Sequence, residues 1–333
     1  MIALPSRYGF RRSFGRYDRN SLKAIESRPC FVAHSDVGFG FHQFWREIMA
    51  LYRGMDAEEL EFQYELRNKE PDFDALVVRW MERCAAFREE SDVALDLRYG
   101  PAEREVLDLF RGAEGGPVLV YIHGGYWQRG DKAMYSFVAE PFMKAGVNVS
   151  VINYTLTPDC RLGDIAPQVR RAITWLWHNA ADLKIDREMI SVMGHSAGGH
   201  LTAMMMATDW PAHDPAMPAD AIHAGVPISG IFELEPLVHT SINQGPQMDV
   251  EEAKRESPLF LAPTTDAPQL VVAGGNETPE FKRQSDAYVE RYRTENRVME
   301  RHDVPNENHF GELERLAESD SEVFQRSIAL VGR

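Results

Sequence analysis

The chain has 333 residues, of which 44% are hydrophobic and 26% are charged, a composition typical of a globular protein with ample material for a core. Its formal net charge of −15 repels nucleic acids and anionic lipid surfaces, and no apolar stretch approaches the roughly 18 residues that span a bilayer, so we expect neither partner. Three widely spaced cysteines, Cys30, Cys84 and Cys160, show no metal-ligand pattern and predict reduced thiols in a cytoplasmic protein.

Residues 1–90 form a predicted N-terminal extension with many arginines, aromatic residues and helical charge patterns. Its first twenty residues carry five arginines against one acid and lack the apolar run of a secretory signal. In an acidic protein such an arm is expected to lie on its own body, to lie on a neighbouring subunit of a homo-oligomer, or to form a flexible tail. Apolar residues at three- and four-residue spacing predict amphipathic helices at residues 41–53 and 73–88.

Residues 91–333 show apolar strands alternating with helices and are predicted to form the one catalytic domain, which follows this extension. Buried strands separated by helical crossovers predict a mostly parallel sheet covered on both faces, a three-layer α/β sandwich. An irregular stretch with several prolines, residues 232–268, predicts either a cap-like insertion above the strand ends or a structural excursion. The predicted strands are residues 93–100 and 105–112 as an opening hairpin, then 116–125, 147–156, 188–196, 221–231, 269–275 and 297–304, and the predicted helices are 134–145, 165–183, 197–207, 280–295 and 309–331.

The pentapeptide GHSAG at residues 194–198 fits the pattern G-x-S-x-G between a predicted strand and a predicted helix. A serine at such a junction occupies a sharp, strained turn, and the flanking glycines let neighbouring elements approach without a Cβ clash. The turn raises the hydroxyl above the sheet, at the positive end of the following helix. This placement predicts Ser196 as a catalytic nucleophile.

A second motif, HGGYW at residues 123–127, directly follows an apolar strand. Backbone N–H groups of such a loop, with the N–H after the nucleophile, form an oxyanion hole in enzymes that carry this pair of motifs. The predicted donors are Gly124 or Gly125 together with Ala197. His123 is predicted to brace the loop rather than to transfer protons.

The general base should come last in the chain, near the end of the final strand. His309 has that position, at the start of the last predicted helix, whereas His302 lies inside the predicted strand 297–304. The sequence therefore favours His309 over His302.

The acidic partner of the base should follow the preceding strand, residues 269–275. Glu277 comes first after the glycines that end this strand, with Glu280 and Asp303 as alternatives. The chain order serine, glutamate, histidine is the order found in α/β-hydrolases, which is the fold class that we predict.

The substrate pocket is expected next to these residues. Tyr126 and Trp127 follow the oxyanion glycines and predict an aromatic wall, although core packing is the alternative for Trp127. His195 and Phe310, beside the serine and the histidine, complete the predicted pocket. His195 and His200 have no third ligand at a metal-binding spacing, so we predict neither a metal nor another cofactor.

Four segments resemble the arylformamidases, also called kynurenine formamidases, of the HGG-loop branch of α/β-hydrolases that includes hormone-sensitive-lipase-like esterases. The segments are HGGYW, GHSAGGH, GGNETPEFKRQS and the NHF near the end, and residues 58–89 are also similar. The resemblance covers about residues 58–330, and one departure is Glu277, where the family usually has aspartate. It implies a metal-free serine triad and an oxyanion hole formed by Ser196, Glu277, His309, Gly124, Gly125 and Ala197.

The sequence thus predicts a serine hydrolase that cleaves a small-acyl aryl amide, such as N-formylkynurenine, through an acyl-enzyme. The alternative within catalysis is a carboxylesterase that acts on small-acyl or aryl esters. The alternative outside catalysis is a binding protein that uses the same pocket as a receptor. For each of these three functions, the expected ligand of the protein is a small aromatic molecule.

Overall fold

An eight-stranded sheet forms the centre of the computed structural model, which describes residues 50–332. The strands are β1 (Val93–Arg98), β2 (Val106–Phe110), β3 (Val118–Ile122), β4 (Asn148–Ile152), β5 (Ile190–His195), β6 (Gly225–Ile228), β7 (Gln269–Gly274) and β8 (Met299–Val304). The strand order is β1-β2-β4-β3-β5-β6-β7-β8. Strand β2 pairs antiparallel with β1 and β4, and the remaining pairs are parallel. The predicted hairpin and the mostly parallel sheet are confirmed.

Twelve α-helices are present in residues 50–332, and most cover the two faces of the sheet. Alternate residues of the fully buried β3 enter two separate hydrophobic cores, Val120 in one and Leu119 in the other. This is the arrangement of a three-layer sandwich. The helices are α1 (Ala57–Tyr64), α2 (Phe73–Glu90), α3 (Lys132–Tyr135), α4 (Ala139–Lys144), α5 (Ile165–His178), α6 (Ala180–Leu183), α7 (Ala197–Met206), α8 (Trp210–His213), α9 (Val250–Arg255), α10 (Pro279–Tyr292), α11 (Gly311–Leu316) and α12 (Glu322–Val331).

Two long predicted helices are divided in the structure. The helix predicted at residues 165–183 breaks at Asn179, whose side chain donates to the carbonyl of Trp175 at 2.7 Å and competes with the backbone ladder. The helix predicted at residues 309–331 becomes α11 and α12, because Ser321 caps a new helix by accepting from the N–H of Phe324. At both places a local hydrogen bond of a polar side chain ends or starts a helix where the apolar periodicity predicts a continuous one.

The N-terminal part of the described chain is packed into the hydrolase body. Helix α2 is confirmed, and its Phe87 stacks on Phe110 of β2 with ring centroids 5.0 Å apart. Residues 50–53 form a turn and not part of the helix predicted at 41–53. The rest of that predicted helix, the arginine-rich arm and Cys30 lie outside the described residues, and the division into domains at about residue 90 stays a prediction.

The two cysteines within residues 50–332 are free. Cys84 of α2 is buried and accepts from the N–H of Phe137 at 3.3 Å, and burial raises the pKa of this thiol to about 11. Cys160 is partly buried, and burial likewise raises its pKa to about 11. Among the helices of the described residues, none combines the length and the apolarity needed to cross a bilayer.

Candidate active site

Ser196 lies in a strained turn between β5 and α7. Its backbone has φ +58° and ψ −118°, a conformation that is rare for residues other than glycine. Glycines are required on both sides, because a Cβ on Gly198 would lie 1.9 Å from the carbonyl oxygen of Ile122 and one on Gly194 would lie 2.4 Å from that of Gly198. The sharp turn predicted from GHSAG is therefore present.

The HGG loop follows β3, the direct neighbour of β5, and so lies beside the serine. A Cβ on Gly124 would be 2.8 Å from the carbonyl oxygen of His195, and Gly125 has φ +113°. Within residues 50–332 the N–H groups of Gly124 and Gly125 have no hydrogen-bond acceptor. Ala197 is the first residue of α7, so its N–H lacks an intrahelical partner as well. Three free backbone donors thus surround the turn.

His123 braces this loop, as the sequence predicts. Its imidazole stacks on Tyr154 with ring centroids 4.4 Å apart, and its Nδ1 donates to the carbonyl of Gly124 at 2.8 Å. The hydroxyl of Tyr154 donates to the carbonyl of His123 at 2.9 Å. Burial lowers the pKa of His123 to about 4, so the ring is neutral near pH 7.

His309 and Glu277 form a short hydrogen bond. The Nδ1 of His309 lies 2.5 Å from Oε1 of Glu277, and both side chains are buried. Since the carboxylate accepts from Nδ1, the opposite ring nitrogen is left free to take a proton. Ser196 and His309 line the same cavity.

The two alternative acids are paired with arginines, and the alternative base lies inside a strand. Glu280 pairs with Arg283 at 2.7 Å, Asp303 pairs with Arg301 at 2.6 Å, and His302 lies within β8 opposite Val272. None of the three alternatives contacts His309 in the described part of the chain. The geometry favours Glu277 as the acidic partner.

A cavity of about 480 Å³ lies over the serine. Tyr126, His195 and Phe310, the other residues of the predicted substrate pocket, line it. The predicted insertion contributes Ser241 and Ile242 to the same wall. The remaining lining residues are Glu65, Leu66, Arg67, Phe73, Asp74, Val77, Trp80, Gly125, Gln128, Arg129, Gly130, Met134, Tyr135, Ser196, Gln244 and His309.

Trp127 does not line this cavity, and its side chain lies in the core, which is the alternative that the sequence left open. Its side chain is completely buried, and its Nε1 donates to Nδ1 of His200 at 3.2 Å. His200 in turn donates from Nε2 to the carbonyl of Glu256 at 2.8 Å. The turn after Gly125 directs Tyr126 to the cavity and Trp127 into the core, where its N–H has a partner.

Helix α2 forms one wall of the cavity, which the sequence did not predict. Phe73, Val77 and Trp80 line the cavity from positions i, i+4 and i+7, while Leu76 and Phe87 of the same helix are in the core. These three cavity-lining residues form a second apolar stripe on the helix, and this stripe was the sequence signal that could have revealed the wall. An amphipathic helix needs only one such stripe to pack on a sheet.

The segment before α2 is attached to the loops on both sides of the site. The hydroxyl of Tyr126 donates to the carbonyl of Tyr64 at 2.5 Å. The hydroxyl of Thr278, next to Glu277, donates to the carbonyl of Gln63 at 2.8 Å. Residues of α1 therefore contact both the HGG loop and the loop that carries Glu277.

We expect Val77→Trp to lower kcat/KM for an aryl substrate by about tenfold or more, because the larger side chain occupies cavity volume. The matched control is Val78→Trp on the same helix, where the native side chain is 53% exposed and faces away from the cavity. Steady-state kinetics of both variants would check this. Equal losses in both would contradict the assignment of α2 as a cavity wall.

His195 has neighbours that its sequence spacing did not reveal. Atoms of His195, His309 and Glu312 that could bind a metal ion lie within 4.8 Å of one another. Two of these groups already have protein partners, since His195 Nε2 lies 2.7 Å from the carbonyl oxygen of His309 and His309 Nδ1 bonds to Glu277. That the chain uses no metal stays a prediction.

The sheet topology and the turn at Ser196 define the class of protein as an α/β-hydrolase. Residues 107–291 match the model of the BD-FAE family. The chain is 29% identical over 300 residues to the kynurenine formamidase of Salmo salar, covering 86% of this chain and 100% of that protein. It is 34% identical over 155 residues to the esterase LipQ of Mycobacterium tuberculosis, covering 42% of this chain and 35% of that protein.

Among solved structures, a putative thioesterase from Silicibacter sp. TM1040 superimposes with a TM-score of 0.72. It is 32% identical and the match covers 83% of this chain and 99% of that one. This chain belongs to the BD-FAE family of α/β-hydrolases, as a member similar to kynurenine formamidases. The resemblance inferred from the motifs is confirmed.

Proposed function

We propose that this hydrolase uses Ser196 as its nucleophile and cleaves aryl amides that carry a small acyl group. The observation that carries the proposal is the His309–Glu277 hydrogen bond beside a cavity that Ser196 also lines. Nucleophile, base and acidic partner are the minimum set for acyl transfer through a covalent intermediate.

In the acylation step, His309 accepts the hydroxyl proton of Ser196 while the serine oxygen bonds to the acyl carbon. The negative charge on the carbonyl oxygen is stabilised by the N–H groups of Gly124, Gly125 and Ala197, each good donor being worth roughly 3–4 kcal/mol. His309 then donates its proton to the amide nitrogen as the carbon–nitrogen bond breaks. The arylamine leaves, and the acyl group stays on the serine.

In the deacylation step, His309 takes a proton from water, and the resulting hydroxide oxygen bonds to the acyl carbon. The bond to the oxygen of Ser196 breaks, the serine regains its proton from His309, and the carboxylic acid departs. Glu277 holds the imidazole in the tautomer with hydrogen on Nδ1 and stabilises the imidazolium in both steps.

The aromatic cavity supports an aryl group on the leaving side. Phe73, Trp80, Tyr126, Tyr135 and Phe310 all line it, and an aromatic ring stacked against such a wall gains roughly 0.5–1.5 kcal/mol beyond burial. An arylamine also delocalises its nitrogen lone pair into the ring, so its amide is less stabilised and it leaves more readily than an alkylamine. The relative named kynurenine formamidase supports a formyl aryl amide as the first compound to test.

The close approach of the HGG loop supports a small acyl group. A Cβ on Gly124 would lie 3.1 Å from Cβ of Ser196, so little room remains between loop and nucleophile. We expect kcat/KM to fall about tenfold or more between the acetyl and butyryl amides of one arylamine. Formyl, acetyl, butyryl and octanoyl amides, measured with the matching phenyl esters, would check this. A preference for the octanoyl amide would contradict it.

The second candidate function is a carboxylesterase, which the esterase relative LipQ favours. The same series separates the two activities, because ester hydrolysis without detectable amide hydrolysis at high enzyme concentration would replace the amidase assignment. Labelling with a fluorophosphonate probe tests both against a non-catalytic binding protein. Absence of labelling in the folded protein would overturn the serine mechanism itself.

A further inference from the structure

A second buried carboxyl lies beside the pair formed by His309 and Glu277. Glu312 of α11 has no solvent exposure, and its Oε1 is 3.1 Å from Nε2 of His195. His195 is the last residue of β5 and directly precedes Ser196. The imidazole rings of His195 and His309 are 4.4 Å apart. Two histidine–carboxyl contacts are therefore packed against each other at the serine.

The protonation of His195 follows from its partner. Its Nε2 lies 2.7 Å from the carbonyl oxygen of His309, which can only accept, so Nε2 carries the hydrogen. Burial lowers the pKa of His195 to about 4, so the ring is neutral near pH 7. This N–H therefore connects His195, which precedes Ser196, to the backbone of His309, which we take as the general base.

Its surroundings favour the neutral form of Glu312. Burial, and then the negative charge of Glu277, raise the pKa of Glu312 well above its ordinary value. An ionised carboxylate would be a stronger acceptor than a peptide carbonyl and would compete for the one N–H of His195. The titratable and charged groups that face Glu312 are His195 at the end of β5, Glu277 after β7, His309 before α11, Arg301 on β8 and Tyr121 on β3.

We propose that His195 and Glu312 are positioning residues. The N–H of His195 fixes the backbone of His309, and the neutral carboxyl of Glu312, whose oxygens have no hydrogen-bond partner within residues 50–332, packs against the imidazole without withdrawing that N–H. This inference rests on the proposed function, since it takes His309 as the general base. Neither residue exchanges a proton with the substrate. His195 thereby connects the turn at Ser196 to the backbone at His309.

The first test separates positioning from substrate binding at His195. His195→Phe removes the N–H, and we expect kcat to fall about 100-fold with KM changed by less than about threefold, since a misplacement near 1 Å costs that much. His195→Gln restores a donor at the Nε2 position and should recover most of kcat. A rise in KM without loss of kcat, or equal activity of the two variants, would overturn the role of the N–H.

The second test concerns the neutral carboxyl. Glu312→Leu should lower kcat because His195 loses its neighbour, and Glu312→Gln, which copies the shape and charge of the protonated acid, should restore it. If Glu312→Gln were as impaired as a folded Glu312→Leu, or if Glu312→Leu kept normal kcat, the assignment would be wrong.

The third test needs no substrate, so its outcome is independent of the proposed function. The carboxyl of Glu312 binds its proton more tightly in the folded chain than in the unfolded chain, and this difference stabilises the fold. The stabilisation is complete below the unfolded pKa of about 4.3 and is lost as the pH rises toward the raised pKa of the folded chain. The melting temperature of Glu312→Gln minus that of the wild type should therefore rise by about 2 °C per pH unit above pH 5.

The matched control is Glu314→Gln, which removes one carboxyl from a partly exposed position of the same helix. The measured quantity is the melting temperature of Glu312→Gln minus that of the wild type, compared with the same difference for the control. If this quantity were flat or fell with pH, Glu312 would be ionised in the folded protein and the proposal would be overturned. Failure of fluorophosphonate labelling, with the expected pH dependence intact, would instead remove the proposed function alone.

Discussion

Replacement of Ser196 by alanine is expected to lower kcat about a million-fold and to abolish labelling by fluorophosphonates. The expectation follows from the position of the hydroxyl in the turn between β5 and α7, beside the cavity that His309 also lines. Without a nucleophile the acyl-enzyme cannot form, and loss of a triad serine has an effect of about this size. Single-turnover kinetics with the preferred amide would measure it.

The alanine variant should keep its fold, because the backbone of Ser196 and not its hydroxyl donates to the carbonyl of Ile228, at 2.8 Å. Alanine does adopt the left-handed backbone of this turn at a cost similar to that of serine. Circular dichroism and the melting temperature serve as controls. Retention of even about one per cent of wild-type kcat by the pure variant would refute Ser196 as the nucleophile.

The second large effect is expected for Glu277→Gln, with kcat lowered about 10⁴-fold. The carboxylate accepts from Nδ1 of His309 at 2.5 Å, whereas a glutamine amide can donate to that nitrogen. The imidazole then adopts the tautomer with hydrogen on the nitrogen that should accept from Ser196. Pre-steady-state measurement of acylation would show the loss directly.

Glu280→Gln is the matched control, since Glu280 is the nearest alternative along the chain. It accepts from the hydroxyl of Tyr64 at 2.9 Å and pairs with Arg283, so its replacement should affect stability more than turnover. Turnover per active site, counted by fluorophosphonate titration, separates the two effects. Near-normal turnover of Glu277→Gln together with a crippled Glu280→Gln would reverse the assignment of the acid.

The sequence by itself predicted the sharp turn at Ser196 and the residues that we propose for the chemistry of the candidate site. Gly194 and Gly198 flank Ser196 because β5 and α7 meet too closely for a Cβ, and this constraint is visible as a local pattern. The predicted order of serine, glutamate and histidine is the chain order of the α/β-hydrolase fold, in which each residue follows a strand of the sheet. Inner strands such as β3 and β7 were predicted because strands that are buried on both faces form nearly continuous apolar runs.

The tertiary structure alone decided which side chains surround these residues. Helix α2 lines the cavity through Phe73 and Val77, Trp127 turns into the core, and Glu312 contacts His195 across 116 intervening residues. Such contacts depend on how helices and strands that are distant in the chain pack against each other. Residue type alone does not reveal them, because an apolar or acidic side chain has the same chemical character in a core, on a surface or beside a histidine of the site. Local sequence patterns record backbone constraints, whereas packing between distant elements sets the walls and the electrostatics of the site.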